Sequence, residues 1–339
     1  MRKVVIQKIV FPVIFFGAVL GLYPPPAFSQ PLHKFTGGYA GVDVPQLPVW
    51  FAKEAGIFKR NGLEVQLISF TGGPTAIAAL ISGDVPITQV SAPGVIRSSL
   101  SGADVVLIAG VTPTLDFWLV SRPDIKTPEQ LKGGSIGIGR FGGVNDFTLD
   151  FLLPKFGLTM GKDVTVRQVG SVPVRLTAVE TKQIDATLLS PPASLMAQKK
   201  GLKVLADVAA LGMVFQHTSV VTTRRFIREQ PDIVRRYIKS HVEAIHALKT
   251  DRAAGLKVLE KYLGGLKDRD VLEKSYDRSV TDDKLPPKPY PSLEGIKTIL
   301  DGMAKTDPKA KSAKPEDFVD LRFVKELDQS GFIDNLYKK

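Results

Sequence analysis

Displaced by 99 positions, the chain matches itself, and that repeat limits the fold more than any single motif. Residues 62–94 align with 161–193 without a gap. Gly62, Val65, Pro74, Ala79, Thr88 and Ser91 recur as Gly161, Val164, Pro173, Ala178, Thr187 and Ser190. Such identities are few among 33 positions, but both copies carry one pattern: strand, polar or glycine turn, helix, strand, then Ser-Ala-Pro or Ser-Pro-Pro. Residues 65–70 and 164–169 read as the first strands, 85–88 and 184–189 as the second. Between them Ile77, Leu80 and Ile81 share a helical face with Gly83 as the stop, and Leu176 and Val179 do the same in the second copy. Strand, helix and strand within about 30 residues, twice, predict right-handed crossovers and two mostly parallel sheets.

Each copy extends upstream by another unit: a strand at 34–39 and a helix at 48–58, then a strand at 134–139 and a helix at 144–156. Residues 203–208 read as a further strand and 217–222 as a β-rich segment. The remainder is helical. Behind Pro231, residues 231–249 put Ile233, Val234, Tyr237, Ile238, Val242, Ile245 and Leu248 on one stripe. Asp251 suits the cap of a helix to Leu263, residues 286–289 make a rigid proline connector, 305–315 read as a solvated loop and 318–327 as a closing helix. The expected architecture is α/β and two-lobed, each lobe a mostly parallel sheet flanked by helices. Lobe one takes 30–114 plus 219–339 with the helical C-terminal tail, and lobe two takes 115–218. Two crossings, near 115–121 and 217–222, make a hinge and leave a cleft at the carboxyl ends of both sheets.

Composition removes whole classes of function. A chain of 339 residues suggests two domains, each able to bury a core. With no cysteine there is no disulfide scaffold, thiolate zinc site, iron–sulfur cluster, cysteine nucleophile or lipid-anchored N-terminal cysteine. His33, His217, His241 and His246 show no ligand spacing, so neither a metal nor a cofactor is expected. Residues 1–29 read as a secretory signal peptide. Arg2, Lys3 and Lys8 precede an apolar run of 14 residues at 9–22, shorter than the about 20 that span a bilayer. Ala27 and Ser29 place small residues before a cut at Gln30. Losing those three cations lowers the net charge from +11 to +8. An exported, soluble periplasmic protein with scattered basic residues meets no nucleic acid in its normal work, so most of the excess reads as a solvated face, one that also suits anionic ligands or membrane surfaces.

Two catalytic motifs match in letters only. Gly133-Gly-Ser135-Ile-Gly137 has the spacing of a nucleophile elbow, but a turn precedes Ser135 and a strand follows, the reverse of what an elbow needs. Gly137-Ile-Gly139-Arg-Phe-Gly142 has the dinucleotide spacing, yet the next strand ends in Gln168-Val169-Gly170 without the required acid. What remains is an anion site: Arg140, Phe141, Gly142, Gly143 and Val144 form a helix start with free N–H groups and a guanidinium beside them. Thr71, Gly72 and Gly73 form the equivalent start in the first copy, Ser171 and Val172 in the second, and Ser91 and Ser190 end the following strands. Gly41, Asp43 and Gln46 lie in the loop after the first strand, where Asp43 suits an amino group on a ligand. Phe117, Trp118 and Phe215 flank the crossings and can stack on a ligand, and His217 reads as a hinge residue satisfied by backbone.

Pro48-Val-Trp50, Ala52-Lys-Glu-Ala-Gly56-Ile-Phe58, Gly62-Leu63-Glu-Val65, Gly72-Gly73 and Leu80-Ile-Ser-Gly83-Asp84 resemble the N-terminal signature of ABC-transporter periplasmic substrate-binding proteins. The subgroup is the one for aliphatic sulfonates, taurine, nitrate and thiamine-type pyrimidines. Pro128-Glu-Gln-Leu131-Lys-Gly133 before Ile136-Gly137-Ile138, and Ala178 with Gln183-Ile-Asp185-Ala186, resemble its second-lobe pattern. The resemblance covers nearly all of the chain after residue 29. It implies the two-lobed, type II-like periplasmic binding protein fold and no enzyme activity. It also implies capture of a small anionic or zwitterionic organic molecule, delivered to an ABC permease with its ATPase, by a monomer. Two alternatives stay open: a ligand-sensing periplasmic subunit of a receptor, and an enzyme like the thiamine-pyrimidine synthases. That enzyme branch is linked to a cysteine-rich iron motif, which a cysteine-free chain lacks.

Overall fold

Two five-stranded sheets organise the chain. The computed structural model describes Met1, residues 32–281 and residues 283–338, so the expected signal segment after Met1 and its cut lie outside the described residues. The first sheet contains β1 (His33–Ala40), β2 (Leu63–Phe70), β3 (Ile87–Ser91), β4 (Val105–Thr112) and β10 (Thr218–Thr223), in the order β2-β1-β3-β10-β4. The second contains β5 (Trp118–Ser121), β6 (Ser135–Ile138), β7 (Thr165–Gln168), β8 (Ala186–Leu189) and β9 (Lys203–Asp207), in the order β7-β6-β8-β5-β9.

In each sheet four strands run one way, as the repeat predicts, and one runs against both neighbours: β10 in the first, β5 in the second. The sheets are therefore mixed. These two are the first strands after each crossing, so the chain enters each sheet at the edge where the other strands end and must run back against them. The repeat extends to the pairing register. Thr36 faces Gln66 and Gly38 faces Thr88 in the first sheet, and at the same offset Ser135 faces Thr165 and Gly137 faces Thr187 in the second.

Helices α1 (Leu47–Glu54), α2 (Ile57–Arg60), α3 (Gly73–Ser82) and α4 (Ala92–Leu100) accompany the first sheet, and α5 (Val144–Leu152), α6 (Val172–Glu180) and α7 (Ala193–Lys199) the second. The single helix expected over 48–58 is divided because Gly56 adopts φ 68, a left-handed conformation that glycine takes without strain. The helix expected to Phe156 ends as α5 at Leu152 and tightens into a 3-10 turn at Leu153–Phe156, where Pro154 has no N–H to donate.

The tail comprises α8 (Arg224–Glu229), α9 (Pro231–Thr250), α10 (Arg252–Tyr262), α11 (Arg269–Ser279), α12 (Leu293–Met303), α13 (Pro308–Ser312), α14 (Arg322–Gln329) and α15 (Phe332–Tyr337). The segment 305–315, expected as a solvated loop, contains α13. Asp307 accepts from Lys309 N at 2.9 Å, Pro308 opens the turn, and Ala310 is buried. The closing helix starts later than expected, as α14, behind a 3-10 turn at Pro315–Phe318.

The 20 residues of α9 span about 30 Å, and its stripe lies in one core with Trp50, Phe58 and the inner face of the first sheet. Each such side chain contributes about 1.5–3 kcal/mol by leaving water. β4 is buried along its whole length although it ends a sheet. The tail covers its open edge: Gly110 N donates to Pro289 O at 2.8 Å and Asp320 N to Leu107 O at 2.8 Å. Among the described residues no helix is long and apolar enough to cross a membrane.

A charged cleft between the two sheets

The carboxyl ends of β1, β2, β3, β6, β7 and β8 open on one cleft of about 620 Å³. Loops after these strands bring Gly41, Asp43, Gln46, Thr71, Gly72, Gly73 and Ser91 from the first sheet. Arg140, Gly143, Val144, Ser171, Val172 and Ser190 come from the second, and Phe117 enters just before the reversed strand β5. Helices α3, α5 and α6 all begin at this cleft, behind Gly72, Gly143 and Ser171. Their free N–H groups and dipoles favour a negative charge there.

Four residues expected at the site lie elsewhere. Phe215 is fully buried and packs on Phe147 at 5.5 Å between ring centroids, in a core that runs from the first sheet to the second. Trp118, the first residue of β5, lies under the Arg278 guanidinium at 5.4 Å. Phe141 projects into solvent. Gly142 does not line the cleft: its N–H donates to Asp146 Oδ2 at 2.7 Å, and a Cβ there would stand 3.2 Å from Arg97 Nη1.

The charge on the second sheet's side is Arg175, which the motif reading passed over. It sits on α6 at the cleft wall with 4% of its surface exposed. Its Nε donates to Thr187 Oγ1 at 3.1 Å, Nη1 to Gly170 O at 2.7 Å and Nη2 to Leu188 O at 3.3 Å. Three of five N–H groups are thus held by the protein, which fixes the fork and leaves two. Burial lowers the guanidinium to about 10, against the pull of Asp43, so it stays charged at neutral pH. Beside it Asn145, buried at the start of α5, also faces the cleft. A Cβ on Gly139 would approach Arg175 Nη1 to 3.2 Å and Asn145 Oδ1 to 3.8 Å, so these two polar groups converge on a bare stretch of backbone.

Arg140, the cation that the glycine motif pointed to, is half-buried. Its Nε donates across the cleft to Thr71 O at 3.0 Å, joining the two walls.

On the opposite wall stands Asp43. Ser190 Oγ donates to its Oδ2 at 3.4 Å, while Oδ1 is shut away from solvent with no hydrogen-bond partner. Burial raises this carboxyl to about 6, with Ser190, Arg175 and Gln46 pulling the other way. Gln46 is itself held, donating to Ala40 O at 3.1 Å and accepting from Gln89 Nε2 at 3.0 Å. An unpaired buried carboxylate oxygen costs free energy unless something donates to it.

The crossings are braced separately. Arg278 of α11 binds Asp116 at 2.8 Å and Asp207 at 3.2 Å, and Lys284 adds a contact to Asp116 at 3.4 Å. His217 packs on Phe117 with ring centroids 5.2 Å apart and planes tilted by 59°, and its backbone N–H donates to Thr112 O. Its ring Nδ1 has no partner, so the backbone satisfies it only in part. Burial pulls its pKa down to about 4, leaving it neutral. A cavity of about 20 Å³ lined by Asp116, His217 and Lys284 has room for about one water. Ser135, the would-be nucleophile, lies within β6 with its hydroxyl and N–H both on Asp185 Oδ2, at 3.0 and 2.6 Å, and cannot stand exposed on an elbow.

The model of the NMT1/THI5-like family matches residues 45–251, which span the second sheet, every strand of the first sheet except β1, and both crossings, while β1 and the loop residues Gly41 and Asp43 lie before the matched segment. The chain belongs to that family. Among its curated relatives, a candidate ABC transporter periplasmic binding protein of Brachyspira hyodysenteriae is 23% identical over 271 residues, 76% of this chain and 75% of the relative. A taurine-binding periplasmic protein of Escherichia coli is 29% identical over 190 residues, 55% of this chain and 58% of the relative. Of solved structures, the alkanesulfonate-binding protein SsuA of Xanthomonas axonopodis pv. citri, bound to MOPS, superimposes with a TM-score of 0.69 at 20% identity. It covers 84% of this chain and 96% of that one. The NMT1/THI5-like chain thus has the two-lobed periplasmic binding protein fold that the sequence resemblance implied.

Proposed function

We propose that this NMT1/THI5-like protein is a periplasmic solute-binding protein that closes its two lobes on a small zwitterionic organic molecule and delivers it to an ABC importer. The observation that carries the reading is the pair of charges on opposite walls: the buried Arg175 guanidinium, and the half-buried Asp43 carboxylate, whose Oδ1 is shut away from solvent with no partner. The two lie close enough to bias each other's ionisation, and both line the cleft, so a ligand between them meets a cation on one side and an anion on the other. A sulfonate or carboxylate fits Arg175, Asn145 and the starts of α5 and α6, and an ammonium fits Asp43. The relatives named for taurine and for ABC transport support the same chemistry and partner.

Strand membership supports lobes of 30–114 plus 219–339 and of 115–218, since β5 to β9 all lie in the second sheet. Of the expected contact residues, Gly41, Asp43, Gln46, Thr71, Gly72, Gly73, Ser91, Phe117, Arg140, Gly143, Val144, Ser171, Val172 and Ser190 are retained in the proposal because they line the cleft. Micromolar affinity requires about 8 kcal/mol, within reach of a few charge-assisted hydrogen bonds of about 1.5–3 kcal/mol each after ordering costs.

The test is calorimetry with taurine and ethanesulfonate, which differ by the ammonium. The wild type should prefer taurine, and Asp43→Asn should abolish the preference while leaving ethanesulfonate unaffected. An unchanged preference in a folded Asp43→Asn protein would remove Asp43 from the site.

A further inference from the structure

We infer that the ligand carries an apolar body as well as its charged groups, and that the turn after α10 together with α6 and α7 forms the subsite that holds it. The inference rests on the charged-site reading above and names the part of the ligand which that reading leaves undefined.

The first observation is size. A cleft of about 620 Å³ lies in the middle of the about 300–1,000 Å³ range of sites for drug-sized ligands, far more than a two-carbon aminosulfonate fills. Closing the lobes on so small a molecule would leave many waters inside.

The second is chemistry. Leu263 and Leu266 line the cleft from the tail, half-buried against the core of the first sheet. Val172 and Met196, on α6 and α7, line it from the other side, half-buried against a separate core of the second sheet. Each pair has one flank packed and the other turned to the cleft, so two apolar surfaces face a shared space that neither fills.

The third is that this end is built and fastened. Gly264 and Gly265 take φ 69 and 74, a left-handed turn after which Leu266 lines the same cleft as Tyr262. Tyr262 is itself fixed, stacked on Trp50 at 4.7 Å with its hydroxyl on Glu54 at 3.1 Å. Three residues beyond Met196, Lys199 bonds Asp268 at 2.8 Å and Asp270 at 3.0 Å, two and four residues beyond Leu266. The ion pair therefore ties the two apolar walls together at their rim. Met196 adds adaptability, since an unbranched thioether side chain fits bodies of different outline.

The test uses two probes with the same charged groups, taurine and para-aminoethyl benzenesulfonate, titrated by calorimetry into the full-length mature protein. The aryl probe should bind at least tenfold more tightly. Leu266→Ala should remove most of that gain and leave taurine unchanged, as should Met196→Ala, with thermal melting to verify that both variants fold. Binding of taurine with no gain for the aryl probe overturns the apolar subsite and leaves the charged site standing. Affinity of the aryl probe that is unchanged in Asp43→Asn and Arg175→Gln overturns the charged site and leaves the subsite standing. Failure of both probes to bind at millimolar concentration overturns both.

Discussion

The two sheets share topology, register and helix starts at an offset of 99, yet they equip the cleft differently. Positions the copies have in common build the matching walls: Pro74 and Pro173 open α3 and α6, and Ser91 at the end of β3 and Ser190 just after β8 both line the cleft. The two charges sit where the copies diverge. Arg175 occupies the position of Ala76, a fully buried residue of α3, and Asp43 the position of Gly142, which faces Arg97 instead of the cleft. A repeated scaffold thus supplies two matching walls with helix starts, and on the proposed function a few unmatched positions decide what the walls bind.

The largest expected effect follows from the Arg175 and Ala76 contrast. Arg175→Gln removes the buried cation and breaks its bonds to Gly170, Thr187 and Leu188. Affinity for taurine should fall at least a hundredfold, about 2.7 kcal/mol, and the melting temperature should drop as well. A folded Arg175→Gln protein that binds as the wild type does would make the two walls equivalent after all.

Next in size is a pH effect from the opposite wall. If the proposed ligand ammonium pairs with ionised Asp43, whose pKa is raised to about 6, taurine affinity should weaken as the pH falls below 6, by at most about tenfold per unit. Asp43→Asn should bind weakly and flatten the profile. A profile of the same slope in the variant would assign the titration to another group.

Arg140→Ala should cost less than about fivefold, because a half-buried guanidinium held by one carbonyl acts mainly as a strap between the walls. A loss as large as that of Arg175→Gln would reverse the assignment of the principal cation. Smallest is Lys199→Ala, which should change affinity by about twofold or less in moderate salt, since exposed ion pairs are screened. A tenfold loss would make the rim contact essential to closure.

How far the sequence alone reaches can be judged from the two arginines. Arg140 drew notice because it stands in a glycine-rich helix start, a motif whose chemistry is local. Arg175 is hidden in a helix that reads as ordinary: Val172, Leu176 and Val179 make its apolar stripe, and Arg175 falls on that same face. A lone cation on a buried stripe is the signal that marks it, because it must be paired or turned to a cavity. The strands and crossings are legible since alternation and glycine turns are short-range features. The positions of Trp118 and Phe215 are not, because both flank a crossing and only tertiary packing decides which aromatic faces the cleft. In 305–315 the lysines mask two start signals, the Asp307 cap and Pro308, that define α13. The contribution of Leu263 and Leu266 is equally hidden, since a tail more than 40 residues beyond the last crossing returns to close the cleft.

The most direct test of a charge supplied by each lobe is to identify what the protein carries from the periplasm. Native mass spectrometry of material purified without denaturation, followed by ligand release, should yield a molecule with an acidic group and an amine, on an apolar body. A neutral sugar or a simple cation in the cleft would contradict the account.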